Sequence, residues 1–422
     1  MQVKKKRRRT QGFSRQGTGP HKRPPRVSGP VLDDPVKMRF SWDSFKRHLL
    51  ERYYVKFVIL LYPLVIENNF CRGLLWVMVN ADYIVRRFPD IQKYFAIIST
   101  PAWARKWAPS CKEDIHGLTL ETHIEEYRKE FPERECLAIR NADFIDERDF
   151  YQVGVEKEYD IFFNSVLLRY KRHELLISTL YDLRNNYRQN VKAAVILWAG
   201  HPRLESSLVY SRLYYRIVAF LLQIRRMTYT RQIRKLYEKA IADGLHITLI
   251  EPMARWEKDT IEKLRLLYNS SKMYVLLSKS EGVNRTAKEA ILCNIPIVAL
   301  RDSPTAIALV NDSTGKIIGD SQKDVSEGIL DMLDHYRSYS PREWALTHCP
   351  RTKACTELWE TLNAIQRYPG YPDIEAANKI RQRFTQNQYN NYLDLNNWKG
   401  FGTRGSLENE MQVIRKRFGK FV

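Results

Sequence analysis

Residues 278–300 read SKSEGVNRTAKEAILCNIPIVAL, and this stretch decides the fold. Two carboxylates in it, Glu281 and Glu289, stand eight positions apart. The short apolar run Ile297–Leu300 predicts a buried strand, and residues 273–277 just upstream predict another. The stretch therefore predicts a strand, an acidic turn, a helix and a second strand.

This arrangement suits a site for a phosphate-bearing ligand. Ligands of open α/β sheets bind beyond the carboxyl ends of the strands, where a helix N-terminus presents unpaired N–H groups to an anion. Gly282 allows the backbone to approach a ligand closely. Glu281 lies at the end of the predicted strand, and Glu289 follows about two helical turns later. We expect the helix start after Glu281 to donate backbone N–H groups to a phosphate.

The stretch resembles the donor-binding domain of GT-B glycosyltransferases of family 4. That family has two glutamates separated by seven residues, followed by alanine and a small-residue–Pro–Val strand, as in Glu289-Ala290 and Pro296-Ile-Val298 here. Residues 311–318, NDSTGKII, match its downstream Thr-Gly-hydrophobic element. The resemblance implies that Glu281 contacts the donor sugar and Glu289 the nucleotide ribose. The alternative is an ordinary turn whose two glutamates face solvent.

The resemblance extends upstream to residues 159–180. The family has a strand there, a Gly-Arg turn, and a lysine before a helix, and Lys171 stands at the position of that lysine. This chain departs from the pattern, with Ser165-Val166 where Gly-Arg is expected, and Arg169 is the candidate substitute for the arginine. The resemblance implies that these cations neutralise the donor diphosphate. The alternative is a solvated basic helix start, which the helix dipole disfavours.

The candidate residues follow from these matches. The residues predicted to be catalytic are Glu281, Lys171 and Arg169, and those predicted to bind the donor are Glu289, Gly282, Val283, Asn284, Arg285, Ser165 and Gly200.

The predicted fold class is α/β, with two Rossmann-like domains whose parallel sheets face a cleft and a reduced N-terminal domain. Alternating strands and helices from residue 157 onward imply a parallel sheet with right-handed crossovers. The predicted domains are a basic arm (1–45), an acceptor-side domain (46–156), a donor-binding domain (157–345) and a helical tail that crosses back (346–422). In the acceptor-side domain, residues 54–61, 94–98 and 135–139 are predicted strands, and 69–88 and 121–131 are predicted helices. For the tail, residues 374–384 or 407–418 are the candidate crossing helix.

The amino-acid composition is typical of a globular protein without a transmembrane helix. A hydrophobic content of 44% is normal for a globular core. No apolar run reaches the ~18 residues of a transmembrane helix. The six cysteines are scattered without C-x-x-C pairs, which favours reduced thiols and a cytoplasmic location.

Charge is the second strong feature, because the net charge is +21. Ten basic residues and no acid precede Asp33, which is typical of an arm that binds DNA or an anionic membrane surface, or of a solvated tail. A second basic region, 211–235, alternates arginines with apolar residues. It predicts a cationic amphipathic helix that lies on a membrane, faces DNA, or packs on the core with a basic outer face.

The predicted activity is transfer of a sugar from a UDP- or GDP-sugar, and the family resemblance implies retention of configuration and no obligatory metal or other cofactor. Three hypotheses stay open. The acceptor is DNA bearing a modified base, or it is a lipid-linked or cell-envelope glycan, or the chain is a non-catalytic glycosyltransferase-like subunit that binds nucleic acid or membrane. The sequence gives no prediction of oligomeric state.

Overall fold

The structure is a computed structural model. It describes residues 56–61, 63–66, 69–79, 84–85, 87–99, 115–117, 129, 132, 135–137, 141–198, 213–251, 258–279, 283–366, 398–400, 403–405 and 407–422. All of them belong to one compact unit, Lys46–Val422. The predictions for the arm, for the residues 374–384 and for almost all of 121–131 lie outside the described residues.

The first sheet is built from five strands. In chain order the elements of this region are β1 (Lys56–Leu61), β2 (Leu64–Ile66), β3 (Asn69–Cys71), β4 (Gly73–Val79), α1 (Ile91–Tyr94), β5 (Phe95–Ser99), β6 (Ile115–Gly117) and β7 (Glu135–Leu137). The strand order is β1-β4-β5-β6-β7, and β2 pairs with β3 as a separate two-stranded ribbon. The sheet is parallel from β4 to β7, whereas β1 is an antiparallel edge strand.

The prediction of a helix over residues 69–88 is wrong for its first half. Gly73–Val79 is a strand that pairs with β1 on one side and β5 on the other. Its sequence, GLLWVMV, is apolar throughout, and Leu74 and Leu75 are both buried. A short run that is buried on both faces has no period of two, so periodicity does not distinguish it from a helix.

The second sheet has six parallel strands. Its elements are β8 (Tyr159–Val166), α2 (His173–Asn185), β9 (Ala193–Trp198), α3 (Leu213–Ala242), β10 (Ile247–Ile250), α4 (Lys258–Asn269), β11 (Ser271–Leu276), α5 (Arg285–Leu292), β12 (Ile297–Leu300), α6 (Pro304–Leu309), β13 (Gly315–Ile318) and α7 (Gln322–His335). The strand order is β10-β9-β8-β11-β12-β13. Numbered within this sheet, that is 3-2-1-4-5-6, the order of doubly wound nucleotide-binding sheets.

Side chains alternate between two hydrophobic layers along each strand. In β8, Ile161 and Phe163 pack with residues of α2, α3 and α7, whereas Phe162 packs with residues of α4 and α5. The sheet is therefore sandwiched between two helical layers, as a parallel sheet buried on both faces requires. The predicted α/β class is confirmed, with a first sheet that is parallel except for its edge strand β1 and a second sheet that is parallel throughout.

The chain then adds α8 (Pro341–His348), α9 (Arg351–Gln366), the β14 (Trp398–Gly400) and β15 (Thr403–Gly405) hairpin, and α10 (Leu407–Phe418). Met411, Ile414 and Phe418 of α10 pack with Leu75 of β4 and with β5. Arg415 adds a bidentate ion pair with Asp90, with both N–O distances 2.6 Å. The last described helix thus completes the core of the first sheet.

The segment between the sheets is anchored to α9 and α8. Asp146, which follows the 3₁₀ turn Asn141–Phe144, forms a buried ion pair with Arg351 at the start of α9. Arg342 of α8 donates to the carbonyls of Phe150 at 2.9 Å and Leu292 at 2.5 Å. These contacts fix the entry into β8 and the end of α5.

Candidate anion-binding site at the carboxyl edge of the second sheet

The candidate site lies where the strand order reverses. β8 and β11 are adjacent and parallel, yet β8 connects to β9 on one side while β11 connects to β12 on the other. Their carboxyl ends, Val166 and Leu276, lead into the segments that start α2 and α5. A crevice outside this reversal is the usual ligand site of such sheets.

Two of the predicted catalytic residues share one turn after β8. The 3₁₀ turn Arg169–Lys171 holds Lys171 almost fully buried, with 6% of its surface exposed, and its Nζ lies 5.3 Å from the ring centroid of Tyr170. Arg169 is exposed and places its guanidinium 5.7 Å from the ring centroid of Tyr229 on α3. The turn therefore brings two cations to the start of α2.

Arg172 follows this turn as the N-cap of α2 in the left-handed conformation, with φ of 57°. No side chain caps α2. Burial lowers the pKa of Arg172, because desolvation penalises its charge. A partly buried cation and an uncapped helix N-terminus both become more favourable when an anion is bound.

The start of α5 is different, and it changes one expectation from the sequence. Oδ1 of Asn284 accepts hydrogen bonds from the N–H groups of Thr286 at 2.8 Å and Ala287 at 3.3 Å. The N–H of Asn284 in turn donates to Oγ1 of Thr305 at 2.8 Å. Two of the backbone donors that were expected to bind phosphate are thus occupied by the helix cap, so α2 is the more open helix start.

Glu289 is buried, with 3% of its surface exposed, and it points into a polar network. The hydroxyl of Tyr268 on α4 donates to its Oε2 at 2.9 Å. Burial, and then the neighbouring carboxylate of Glu289, raise the pKa of Tyr268, so the phenol stays protonated as the donor. Tyr268 also hydrogen-bonds the side chain of Asn164, which accepts from Trp198 Nε1 at 2.5 Å. The network links α4 and α5 to the ends of β8 and β9.

A second set of contacts holds the ends of β8 and β11 to α5. Oγ1 of Thr286 donates to Oδ1 of Asn284, so the hydroxyl of Tyr274 in β11 donates to Oγ1 of Thr286 at 2.5 Å. The hydroxyl of Tyr274 also lies 3.3 Å from the carbonyl oxygen of Asn164. The position of the α5 start is thereby fixed by side chains of the two central strands.

His173, the first residue of α2, is fully buried on the opposite face. A carbonyl only accepts, so Nε2 carries the proton and donates to Val166 at 3.0 Å, while Nδ1 accepts from the hydroxyl of Tyr237 at 3.1 Å. Burial lowers the pKa of His173 to about 4. The neutral imidazole therefore connects the start of α2 by hydrogen bonds to the end of β8 and to α3.

Asp320 approaches the same edge from the segment after β13. Its carbonyl accepts from Nη2 of Arg172 at 3.2 Å, and its Oδ2 lies 3.9 Å from Nη1 of Arg172. The same carboxylate oxygen contacts Nζ of Lys279, which follows β11. One acid thus joins cations from the ends of both central strands.

The remaining predicted site residues are placed as follows. Ser165 lies inside β8 and pairs with Leu197, whereas the resemblance implied that it stands in the turn after the strand. Val283, Asn284 and Arg285 are half-buried at the start of α5. Glu281, Gly282 and Gly200 lie outside the described residues.

Sequence reasoning missed several residues of this edge. Asn164, Tyr268 and Asp320 had no local signal, since their roles arise from contacts across the fold. Asn284 was predicted to bind the donor, and its role as the N-cap of α5 was missed although asparagine is a favoured N-cap residue.

The fold and edge together define an α/β protein whose second sheet has nucleotide-binding strand order. No protein-family model and no curated protein matches the sequence. Similar solved structures include sucrose-phosphate synthase from Thermosynechococcus elongatus (TM-score 0.48, 13% identity, 68% of this chain and 71% of that chain). They also include Anabaena HepE in complex with UDP and glucose (TM-score 0.48, 12% identity, 68% of this chain and 78% of that chain). A mutant of S. aureus TarM in complex with fondaparinux, α-GlcNAc-glycerol and UDP is similar as well (TM-score 0.47, 13% identity, 71% of this chain and 64% of that chain).

Across the described residues, no helix combines the length and the apolar composition needed to cross a bilayer.

Proposed function

We propose that the protein transfers a sugar from a nucleotide-diphosphate sugar to an acceptor. The observation that carries this proposal is the placement of four cations, Arg169, Lys171, Arg172 and Lys279, after the two strands between which the sheet order reverses. Cations from both strand ends, beside an uncapped helix N-terminus, suit a diphosphate better than a neutral ligand.

The proposed roles follow from chemistry at the leaving group. Lys171 and Arg169, with Arg172, stabilise the negative charge that develops on the diphosphate as the glycosidic bond breaks. Glu289 accepts hydrogen bonds from the ribose and keeps its orientation through Tyr268. Glu281 and Gly282 contact the donor sugar, Gly200 and Ser165 line the donor site, and Val283, Asn284 and Arg285 position the start of α5. We also propose that the transfer retains the anomeric configuration and needs no obligatory metal or other cofactor. The proposed nucleotide of the donor is UDP or GDP.

DNA bearing a modified base is the proposed acceptor, because a net charge of +21 exceeds what a nucleotide ligand requires. The described part of α3 supports a basic outer face. Tyr229, Ile233, Tyr237 and Ala240 are buried on one side, whereas Arg225, Arg231, Lys235 and Lys239 are exposed on the other. Salt-dependent DNA binding that is lost without residues 1–45 is the expected result. Preferential binding to anionic vesicles would indicate a lipid-linked acceptor instead.

The donor site is tested by a thermal-shift screen against UDP, GDP, ADP, CDP and their sugars. One nucleotide is expected to stabilise the wild type and to lose most of its effect with Glu289→Gln. Glu327→Gln is the matched control, because Glu327 is an exposed carboxylate on α7. No stabilisation by any nucleotide would refute the proposal.

Catalysis is tested separately from binding. Incubation of the stabilising donor with DNA and with lipid-linked glycans is expected to release the free nucleotide with the correct acceptor, and Lys171→Met is expected to slow this release by about two orders of magnitude. Binding without any nucleotide release would favour the non-catalytic subunit.

A further inference from the structure

Asp320 holds together two cations of the proposed diphosphate site. Its Oδ2 contacts Nζ of Lys279 and lies 3.9 Å from Nη1 of Arg172, and its carbonyl accepts from Nη2 of Arg172. Arg172 comes from the end of β8 and Lys279 from the end of β11. The carboxylate therefore bridges the two sides of the strand-order reversal.

The bridge is made by partly solvated side chains. The exposed fractions of the side chains are 24% for Arg172, 47% for Asp320 and 44% for Lys279. Ion pairs at this exposure are weak, because water screens the charges, so a stronger anion can displace the carboxylate. A diphosphate carries more charge than one carboxylate and accepts several charge-assisted hydrogen bonds.

The contacts with Asp320 do not use all the hydrogen-bond donors of Arg172. Its Nη1 is buried and has no hydrogen-bond partner within the described structure, since the distance to Oδ2 of Asp320 is too long for one. Its place at the uncapped N-terminus of α2 adds the positive end of the helix dipole. The guanidinium therefore keeps donor capacity that the carboxylate of Asp320 does not use.

We propose that Asp320 is an internal competitor of the donor diphosphate. In the donor-free protein its carboxylate occupies Arg172 and Lys279, which keeps these cations near each other. When the diphosphate enters, it displaces the carboxylate and takes both cations. Asp320 thus lowers the affinity of the protein for the diphosphate part of the donor, and it leaves the affinity for the nucleoside part unchanged. The inference rests on the proposed function.

The test is calorimetric titration of wild-type protein and Asp320→Asn with inorganic pyrophosphate, UDP and uridine at constant ionic strength. Asp320→Asn is expected to bind pyrophosphate and UDP about tenfold more tightly, the order expected when one charge next to a polyanion is removed. Its affinity for uridine is expected to stay unchanged.

Asp331→Asn is the matched control. Asp331 lies on α7, pairs with Lys316 at 2.5 Å and has a side chain that is 40% exposed, so the substitution removes the same charge from a similar surface ion pair. It is expected to leave pyrophosphate binding unchanged. Lys279→Gln is expected to weaken pyrophosphate binding, and to reduce the gain from Asp320→Asn when the two are combined.

The two proposals fail differently. If the wild type binds UDP but Asp320→Asn binds pyrophosphate no more tightly, or if Asp331→Asn gives the same gain, the competitor role is wrong and the donor site stands. If none of the variants binds pyrophosphate or any nucleoside diphosphate, the proposed function is wrong and the inference falls with it. Thermal melting of each variant verifies that it is folded.

Discussion

Tyr268 donates its hydroxyl to Glu289 at 2.9 Å, so that a residue of α4 determines the orientation of the carboxylate on α5. Tyr268→Phe removes the donor and leaves a buried carboxylate with one hydrogen bond fewer. We expect the free energy of unfolding to fall by about 1.5–3 kcal/mol, as measured by urea denaturation, and nucleotide affinity to fall with it. Tyr181→Phe is the control, because Tyr181 makes a similar bond to Asp243 at an exposed position. Equal losses in both variants would contradict the prediction.

Asn284 caps α5, and its removal separates helix stability from phosphate binding. Asn284→Ala is expected to lower the free energy of unfolding by about 1 kcal/mol, because Thr286 and Ala287 lose their acceptor, whereas Asn284→Asp retains the cap. If the phosphates bind at α2, pyrophosphate affinity changes less than twofold in Asn284→Ala. A large change in affinity would instead place the phosphates at α5.

Gly315 gives the Thr-Gly element a physical explanation. Its φ is +155°, and an added Cβ would lie 2.0 Å from the carbonyl oxygen of Ile297 in the neighbouring strand. Gly315→Ala is therefore expected to destabilise the protein by about 3 kcal/mol, the upper end of the usual cost of overpacking, since the obstacle is backbone that does not move aside. Gly154→Ala, where nothing lies within 4 Å of the added atom, is expected to change stability little. Chemical denaturation of the two variants gives the comparison.

His173 makes stability depend on pH on the acid side. Its pKa in the folded protein is about 4, below the ordinary 6.5. Between these values the unfolded chain binds a proton that the folded protein does not, so stability is full above pH 6.5 and is lost as the pH falls towards 4. We expect a loss of about 2 kcal/mol between pH 7 and pH 5. His173→Gln should lose that part of the slope, whereas His335→Gln, at an exposed position, should keep it.

The second sheet was predictable because its strands are short apolar runs separated by helices. Ile297–Leu300 has the predicted bounds, and the strand predicted at residues 273–277 is observed as Ser271–Leu276. Strand β4 was not predictable, because an all-apolar run that is buried on both faces fits the hydrophobic pattern of a helix as well as that of a strand.

The candidate site was predictable only in its local parts. Lys171 and Asn284 stand in segments whose turn and cap signals are read from neighbouring residues. The partners of Glu289 and Arg172 were not predictable, because Tyr268 and Asp320 reach them from distant elements. Their identities depend on how α4 and α7 pack on the sheet, and no local pattern encodes that packing.

The packing of α10 on β4 and β5 has a consequence for how the protein is made. Met411, Ile414 and Phe418 leave the ribosome more than 300 residues after the strands they cover. At ordinary rates of synthesis this delay is roughly 15–60 s, during which the apolar face of the first sheet has no cover from its own helix. Nascent chains that are stalled before residue 407 should therefore expose this face to chaperones, and completion of α10 should end that exposure.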